Sequence, residues 1–317
     1  MFTMRTKLLA YALPVLLGIG AFTNIWIYSG TARADNPATN ISISPLTFDL
    51  SANPGDTITD EILVRNSGVA PVVINPETED FVADGEEGQV SLTESKSTYS
   101  LASWIQLNTG QFTLNGGQQQ QIKFEIRIPV NAEPGGHYAS VYGHLSPTIA
   151  NATNGSGVGQ KIGALILLRV GGDANEDANI ASFSTTKHAY ETGPVGFDIR
   201  IQNTGTVHIK PMGVIAVTDE FGKKVATIPV DQKNILPGAI RHLTASWTKT
   251  PAFGKYTATL LSLYGTDNKQ ITAATTFWII PWVKIAQWAA GFIVLLFLLW
   301  LARRRFKNAI KAFLDKR

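Results

Sequence analysis

Two stretches of this chain end a strand-like alternation in the same step and then give the same turn signals in the same order. The first reads Glu61-Ile-Leu-Val-Arg-Asn66-Ser-Gly68, then Leu114-Asn-Gly116-Gly and a strand, then Pro134-Gly-Gly-His-Tyr138-Ala. The second reads Phe197-Asp-Ile-Arg-Ile-Gln-Asn203-Thr-Gly205, then Leu236-Pro-Gly238 and a strand, then Phe253-Gly-Lys-Tyr256-Thr-Ala. A supersecondary unit that recurs in this way implies two copies of one fold. The glycine after each Asn-x pair is expected at positive φ, where glycine carries no steric cost. Each tyrosine is expected to bury its ring and bond its hydroxyl locally.

The rest of the region supports strands. Ile41-Ser-Ile43-Ser, Ile62-Leu-Val64, Val72-Val-Ile74 and Ile122-Lys-Phe124-Glu-Ile126-Arg-Ile128 alternate or run apolar over strand lengths between Gly, Pro and Asn clusters. No amphipathic helix of useful length falls between residues 40 and 278. The predicted fold is all-β: two tandem immunoglobulin-like β-sandwich domains over 41–171 and 178–278, followed by a single C-terminal transmembrane helix. An extra segment at about 77–107 is expected in the first sandwich only. Residues 172–177 read as a solvated linker.

Both ends of the chain carry apolar runs. Ile285–Ala302 contains no charge, with Trp278, Trp282 and Trp288 near its front and Arg303, Arg304 and Arg305 behind it. About 20 apolar residues span a bilayer core, tryptophans favour the headgroup level, and arginine clusters stay cytoplasmic. Residues 285–302 are therefore read as the span, 303–317 as a basic cytoplasmic tail, and everything before as extracytoplasmic. Phe306–Leu314 repeats apolar residues at helical spacing among lysines, which suits a short interfacial helix. At the other end, Arg5 and Lys7, the run Leu8–Ile27 and Ala32-x-Ala34 form a signal-peptide pattern over 1–34. An uncleaved anchor is the alternative, since that run is long.

Cutting the chain this way changes its charge. Of the overall +3, residues 1–34 contribute +3 and residues 303–317 contribute +6, so the segment between carries −6. An acidic ectodomain disfavours nucleic acid as a partner, and the basic tail suits membrane lipids. The chain has no cysteine. Disulfides and thiolate chemistry are excluded, and the sandwiches must be held by their cores.

At this point the residues carry a family resemblance. Ser103-Trp104-Ile-Gln-Leu107, the Leu-x-Gly turn, Ile128-Pro129 and Pro134-Gly-Gly-His-Tyr138 resemble the first ectodomain of bacterial surface proteins of the WxL-interacting type. Asn203-Thr-Gly-Thr-Val-His208-Ile-Lys-Pro211, Leu236-Pro-Gly238, Arg241, Trp247 and Phe253-Gly-Lys-Tyr256 resemble their second. The resemblance covers roughly 41–302. It implies peptidoglycan binding for the first domain and host-surface or partner binding for the second.

Catalytic signals are missing from the sequence. His137, His144, His188, His208 and His242 form no zinc pattern, and an odd separation puts His137 and His144 on opposite faces of a strand. Gly155-Ser-Gly-Val-Gly159 lacks the spacing of a nucleotide loop and reads as a flexible hairpin loop. Glu77, Glu79, Asp80, Asp84, Glu86 and Glu87 look like a solvated hairpin and not like a converging acid pair. Asp173, Asn175 and Asp177 alternate like the start of a calcium loop, but Ala178 replaces the required glycine. Leu236-Pro-Gly-Ala departs from a sortase signal. No enzyme, cofactor or metal is therefore expected.

Trp104, Tyr138 and Tyr142 are the candidate binding residues, since aromatics stack on sugar rings or on partner side chains. The competing reading makes Trp104 and Tyr138 sandwich core. The functional expectation is a non-enzymatic, membrane-anchored cell-envelope protein that binds cell-wall polymer (peptidoglycan) or another surface protein. The alternative is a structural stalk or assembly scaffold.

Overall fold

The computed structural model describes residues 40–94, 98–147, 160–249 and 253–314. The expected signal segment and the Gly155–Gly159 loop lie outside the described residues. The first sandwich contains β1 (Ile41–Ser44), β2 (Thr47–Ala52), β3 (Thr57–Asn66), β4 (Val72–Asp84), β5 (Gln89–Thr93), β6 (Ile105–Leu107), β7 (Phe112–Leu114), β8 (Gln119–Arg127), β9 (Gly135–Pro147) and β10 (Gln160–Val170). One sheet has the order β1-β3-β8-β6. The other has the order β2-β10-β9-β4-β5, with β7 also on β4.

The second sandwich contains β11 (Ala178–Thr185), β12 (Ala189–Tyr190), β13 (Val195–Asn203), β14 (Met212–Asp219), β15 (Lys224–Val230), β16 (Ile240–Trp247), β17 (Gly254–Tyr264) and β18 (Lys269–Ile279). Its sheets are β11-β13-β16 and β12-β18-β17-β14-β15. In both units the first strand lies antiparallel on one sheet. The chain then crosses over, and the next strand lies parallel to the last strand of the other sheet, as β2 on β10 and β12 on β18.

The repeated asparagine explains the repeated sequence. Asn66 is fully buried; its amide donates to the carbonyls of Ala70 (2.8 Å) and Leu114 (3.0 Å), and its Oδ1 accepts the Gly68 N–H (2.9 Å). Asn203, also fully buried, makes the same three bonds, to Val207 (2.8 Å), Ile235 (2.8 Å) and Gly205 (2.9 Å). Each side chain satisfies carbonyls that a turn would leave orphaned inside the sandwich. The expected positive φ does not occur: neither Gly68 nor Gly205 adopts it. What excludes a side chain at Gly205 is close approach, because a Cβ would stand 2.3 Å from the Asn175 carbonyl oxygen.

Alternation along the strands builds two main cores, and a smaller cluster of Phe81, Tyr138 and Leu167 packs against Leu236 of the second sandwich. Ile62, Phe124, Ile126, Ile166 and Leu168 sit at the centre of the first. Phe197, Ile199, Leu260 and Phe277 sit at the centre of the second. The extra segment of the first sandwich starts later than expected. Residues 77–93 are β4 and β5, which have counterparts in β14 and β15. What the second unit lacks follows Thr93: a 3-10 turn at Ala102–Trp104 and then β6.

Helix α1 (Trp282–Leu314) starts three residues after β18 ends. Trp278 and Ile280 still donate backbone bonds to His188 and Tyr190, and the Pro281 carbonyl accepts the N–H of Ile285 (3.0 Å), the first turn of the helix. Trp282–Arg305 has a mean hydropathy of 2.2 and none of its most apolar stretch is buried against the protein. By length and composition it can cross a membrane. Phe306–Leu314 continues α1 and does not form a helix of its own.

Candidate binding site at the joint between the sandwiches

Residues expected to be solvated turn out to join the two units. The β4–β5 hairpin turns at Gly85 and Gly88, both at positive φ, and lays Glu86 and Glu87 on β13 and β16. Glu86 takes the Arg200 guanidinium with both carboxylate oxygens, one at 2.6 Å, and its carbonyl accepts the His242 N–H at 2.9 Å. Glu87 Oε1 lies 2.7 Å from His242 Nδ1. The Arg200 hydrogen bonds hold the Glu86 carboxyl below the usual range, and the Glu87 contact raises His242. A side chain at Gly88 would be strained by its positive φ and would displace the Arg241 guanidinium.

A second set of contacts closes the other side. The Tyr138 hydroxyl accepts the His208 N–H at 2.8 Å and lies 3.3 Å from His208 Nδ1, while His208 Nε2 lies 3.1 Å from Asp49 Oδ1. Burial pushes Tyr138 above the ordinary tyrosine value and holds His208 below the ordinary histidine value, against the pull of Asp49. A neutral imidazole with its proton on Nε2 satisfies all three groups. Tyr138 is thus buried, as one reading expected, but its hydroxyl bonds across the joint and not locally.

Most of the linker is exposed, but Glu176 is not. Glu176 is 5% exposed; it bonds Arg169 Nη1 (2.5 Å) and accepts the N–H and hydroxyl of Thr266 (2.8 and 2.9 Å). Burial pushes the Glu176 carboxyl up, and those bonds outweigh it and leave it below the usual value. Asp177 is committed to Thr204, Ala178 and Tyr264. Among the described residues no group of three or more His, Asp or Glu is placed to hold a metal.

Above the hairpin the joint opens into a cleft of about 220 Å³. Phe81, Val90, Leu165 and Leu167 line one side, and Asn234, Leu236, Ile240 and Arg241 the other. Arg241 Nε and Asn234 Oδ1 are buried here without a hydrogen-bond partner. Unpaired buried polar atoms cost about 1–3 kcal/mol each, and both residues line this cleft of mixed polar and apolar walls.

The three aromatics singled out from sequence do not converge. Tyr138 and Tyr142 lie on the outer face of β9, but Tyr138 is under the joint. Tyr142 is buried with its hydroxyl on Glu77 (2.9 Å) and Glu79 (3.1 Å), and the Lys161 ammonium is 4.6 Å from its ring centre. Burial pushes the Tyr142 hydroxyl up to about 12. Trp104 stands elsewhere: half-buried, it packs on the first core with its ring 4.4 Å from that of His137. Its turn is held by Asp80, whose Oδ1 accepts the N–H groups of Leu101 (2.9 Å) and Ala102 (2.8 Å). Trp104 floors a shallow groove edged by Ser100, Ser103, Asn131 and Glu133. Sequence reasoning missed Arg241, Asn234 and Leu236 as site residues, although Leu236 stood in the repeat pattern and both Leu236 and Arg241 stood in the family resemblance.

No family model matches this sequence, and no curated protein does. Solved structures with a similar fold include the class 5 fimbriae chaperone CfaA, 17% identical with a TM-score of 0.40, over 75% of this chain and 99% of that chain. The E. coli chaperone DraB is 12% identical with a TM-score of 0.35, over 76% and 98%. A protein of unknown function from Porphyromonas gingivalis W83 is 12% identical with a TM-score of 0.31, over 74% and 98%. Likeness at this level concerns the fold alone.

Proposed function

We propose that this protein is a membrane-tethered, non-enzymatic scaffold of the bacterial cell envelope, whose extracytoplasmic double sandwich holds a segment of another surface protein in the cleft at its joint. The observation that carries this reading is the unpartnered pair Arg241 Nε and Asn234 Oδ1 on two residues that line the cleft beside Phe81, Leu165 and Leu236. An extended peptide offers a carbonyl to one, an N–H to the other and side chains to Phe81, Leu167 and Leu236. The fixed joint supports it, since a binding site shared by two domains needs both held still. The tether is read from α1, its length, its uncovered apolar surface and the arginines behind it. The resemblance to WxL-interacting proteins belongs to this proposal and agrees with a protein partner.

Affinity capture from envelope extract with the full chain in detergent tests it. A surface protein retained by the wild type is lost with Arg241→Ala and with Leu236→Asp. Equal retention by the variants contradicts the reading.

Wall-polymer binding is the second reading, and Trp104 favours it. A half-buried indole beside an imidazole, rimmed by hydroxyl and amide groups, can stack on a sugar ring. Retention on purified peptidoglycan that falls with Trp104→Ala and not with Arg241→Ala is the outcome this reading requires.

A further inference from the structure

We propose that the helix-proximal end of the second sandwich is a lipid-docking surface, with Phe221 and Phe253 entering the headgroup layer and the lysines around them meeting anionic lipid. The strand register puts these groups together. β17 starts at Gly254 opposite Ile279, the last residue of β18, and β14 ends at Asp219 opposite Tyr256. The turn after β14, the start of β17 and the exit of the chain into α1 therefore share one end of the sandwich. Phe221 is 86% exposed, Phe253 64% and Trp278 44%.

An isolated exposed apolar side chain needs no explanation. Aromatics gathered where an uncovered apolar helix leaves the domain do. Phe221 is also held in place: Asp219 Oδ1 accepts the N–H groups of Phe221 (3.0 Å) and Lys223 (2.9 Å), so the turn presents the ring on a fixed support.

Charge points to the same ligand. Lys223, Lys224, Lys249 and Lys255 are exposed at this end, and among the described residues none of their ammonium groups has an ion pair or hydrogen-bond partner. The segment 35–302 is acidic overall, so these unpaired lysines run against its average. Basic groups around a few aromatics suit a leaflet carrying anionic headgroups. Docking at this end fixes the tilt of the second sandwich on the bilayer, and through the joint that of the first.

This inference rests on α1 crossing the membrane, and the test separates the two. The chain has no cysteine, so single variants of the full chain can be labelled cleanly with a fluorophore at Glu220→Cys, Thr248→Cys, Val130→Cys and Leu295→Cys. Each is reconstituted in phosphatidylcholine–phosphatidylglycerol nanodiscs and read with brominated lipid and with iodide. Docking predicts labels at positions 220 and 248 quenched by brominated lipid and shielded from iodide, with the reverse at 130. Adding Phe221→Ser and Phe253→Ser, or omitting phosphatidylglycerol, returns the 220 label to iodide while the label at 295 stays quenched by lipid. Labels at 220 and 248 that behave like the one at 130, beside a quenched 295, overturn docking alone. A label at 295 that lipid does not quench overturns the membrane span and the docking surface with it.

Discussion

The hydroxyl of Tyr138 in the first sandwich accepts a 2.8 Å hydrogen bond from the backbone N–H of His208 in the second. Both groups are buried; Tyr138 belongs to the repeated Gly-x-Tyr step, and His208 lies three residues after the repeated Asn-x-Gly step. Removing the hydroxyl leaves the His208 N–H unsatisfied, which costs about 1–3 kcal/mol. Tyr138→Phe is expected to lower the unfolding free energy from urea titration by that amount. A variant as stable as the wild type would show that the joint does not depend on this bond.

The two asparagine clamps make a matched pair. Asn66→Ala and Asn203→Ala each remove three side-chain hydrogen bonds from a buried turn, although at Asn203 the Ile235 carbonyl keeps the Ile209 N–H and the Gly205 N–H keeps the Asp177 carbonyl. Each is expected to cost about 2–4 kcal/mol in thermal or chemical unfolding, the sum of several net bonds and an unfilled site. Similar losses at both positions support one folding unit used twice.

The joint contains two histidines with opposite responses to pH. Burial holds His208 below the ordinary value of 6.5, so the unfolded chain takes up the proton first and this contribution is lost as pH falls below 6.5. His242 is raised by Glu87, so its contribution is present below 6.5 and lost as pH rises through its folded value. The two offset each other near neutrality. His242→Gln removes the compensating half, and melting curves between roughly pH 8 and 5.5 should then show stability falling on acidification more steeply than in the wild type. A parallel pH dependence in the two proteins would refute the assignment. Glu86 does not intrude, since its lowered value confines its loss to more acid conditions.

Truncation after Pro281 removes all of α1 and leaves both cores untouched. The shortened chain is expected in the aqueous phase after detergent phase separation, and the full chain in the detergent phase. Recovery of both in the aqueous phase would remove the tether from the account.

The sequence carried the parts of this fold that local physics decides. Alternating apolar residues named the strands, the repeated Asn-x-Gly step marked equivalent strand ends, and the charge-free run before Arg303 marked the helix. The joint was hidden because its pairs are far apart in the chain. Asp49 meets His208 and Glu86 meets Arg200 only once both sandwiches have formed. Carboxylates at 77–87 look the same in sequence whether they face water or another domain, so they were read as solvated. Asp80 is equally opaque in sequence, since it caps a turn whose N–H groups, on Leu101 and Ala102, lie 21 and 22 residues later. Trp104, Tyr138 and Tyr142 were visible as aromatics in motifs, but residue type does not say on which side of a sheet a ring ends. The cleft was least legible, because an unpaired Nε is a property of surroundings that distant segments build.

The most direct test of the scaffold reading is affinity capture with the full chain, comparing wild type, Arg241→Ala and Trp104→Ala in the same envelope extract. The account predicts a surface protein bound by the wild type and by Trp104→Ala and lost with Arg241→Ala, while thermal melts show all three folded. Binding that survives Arg241→Ala, or that disappears only with Trp104→Ala, would contradict it.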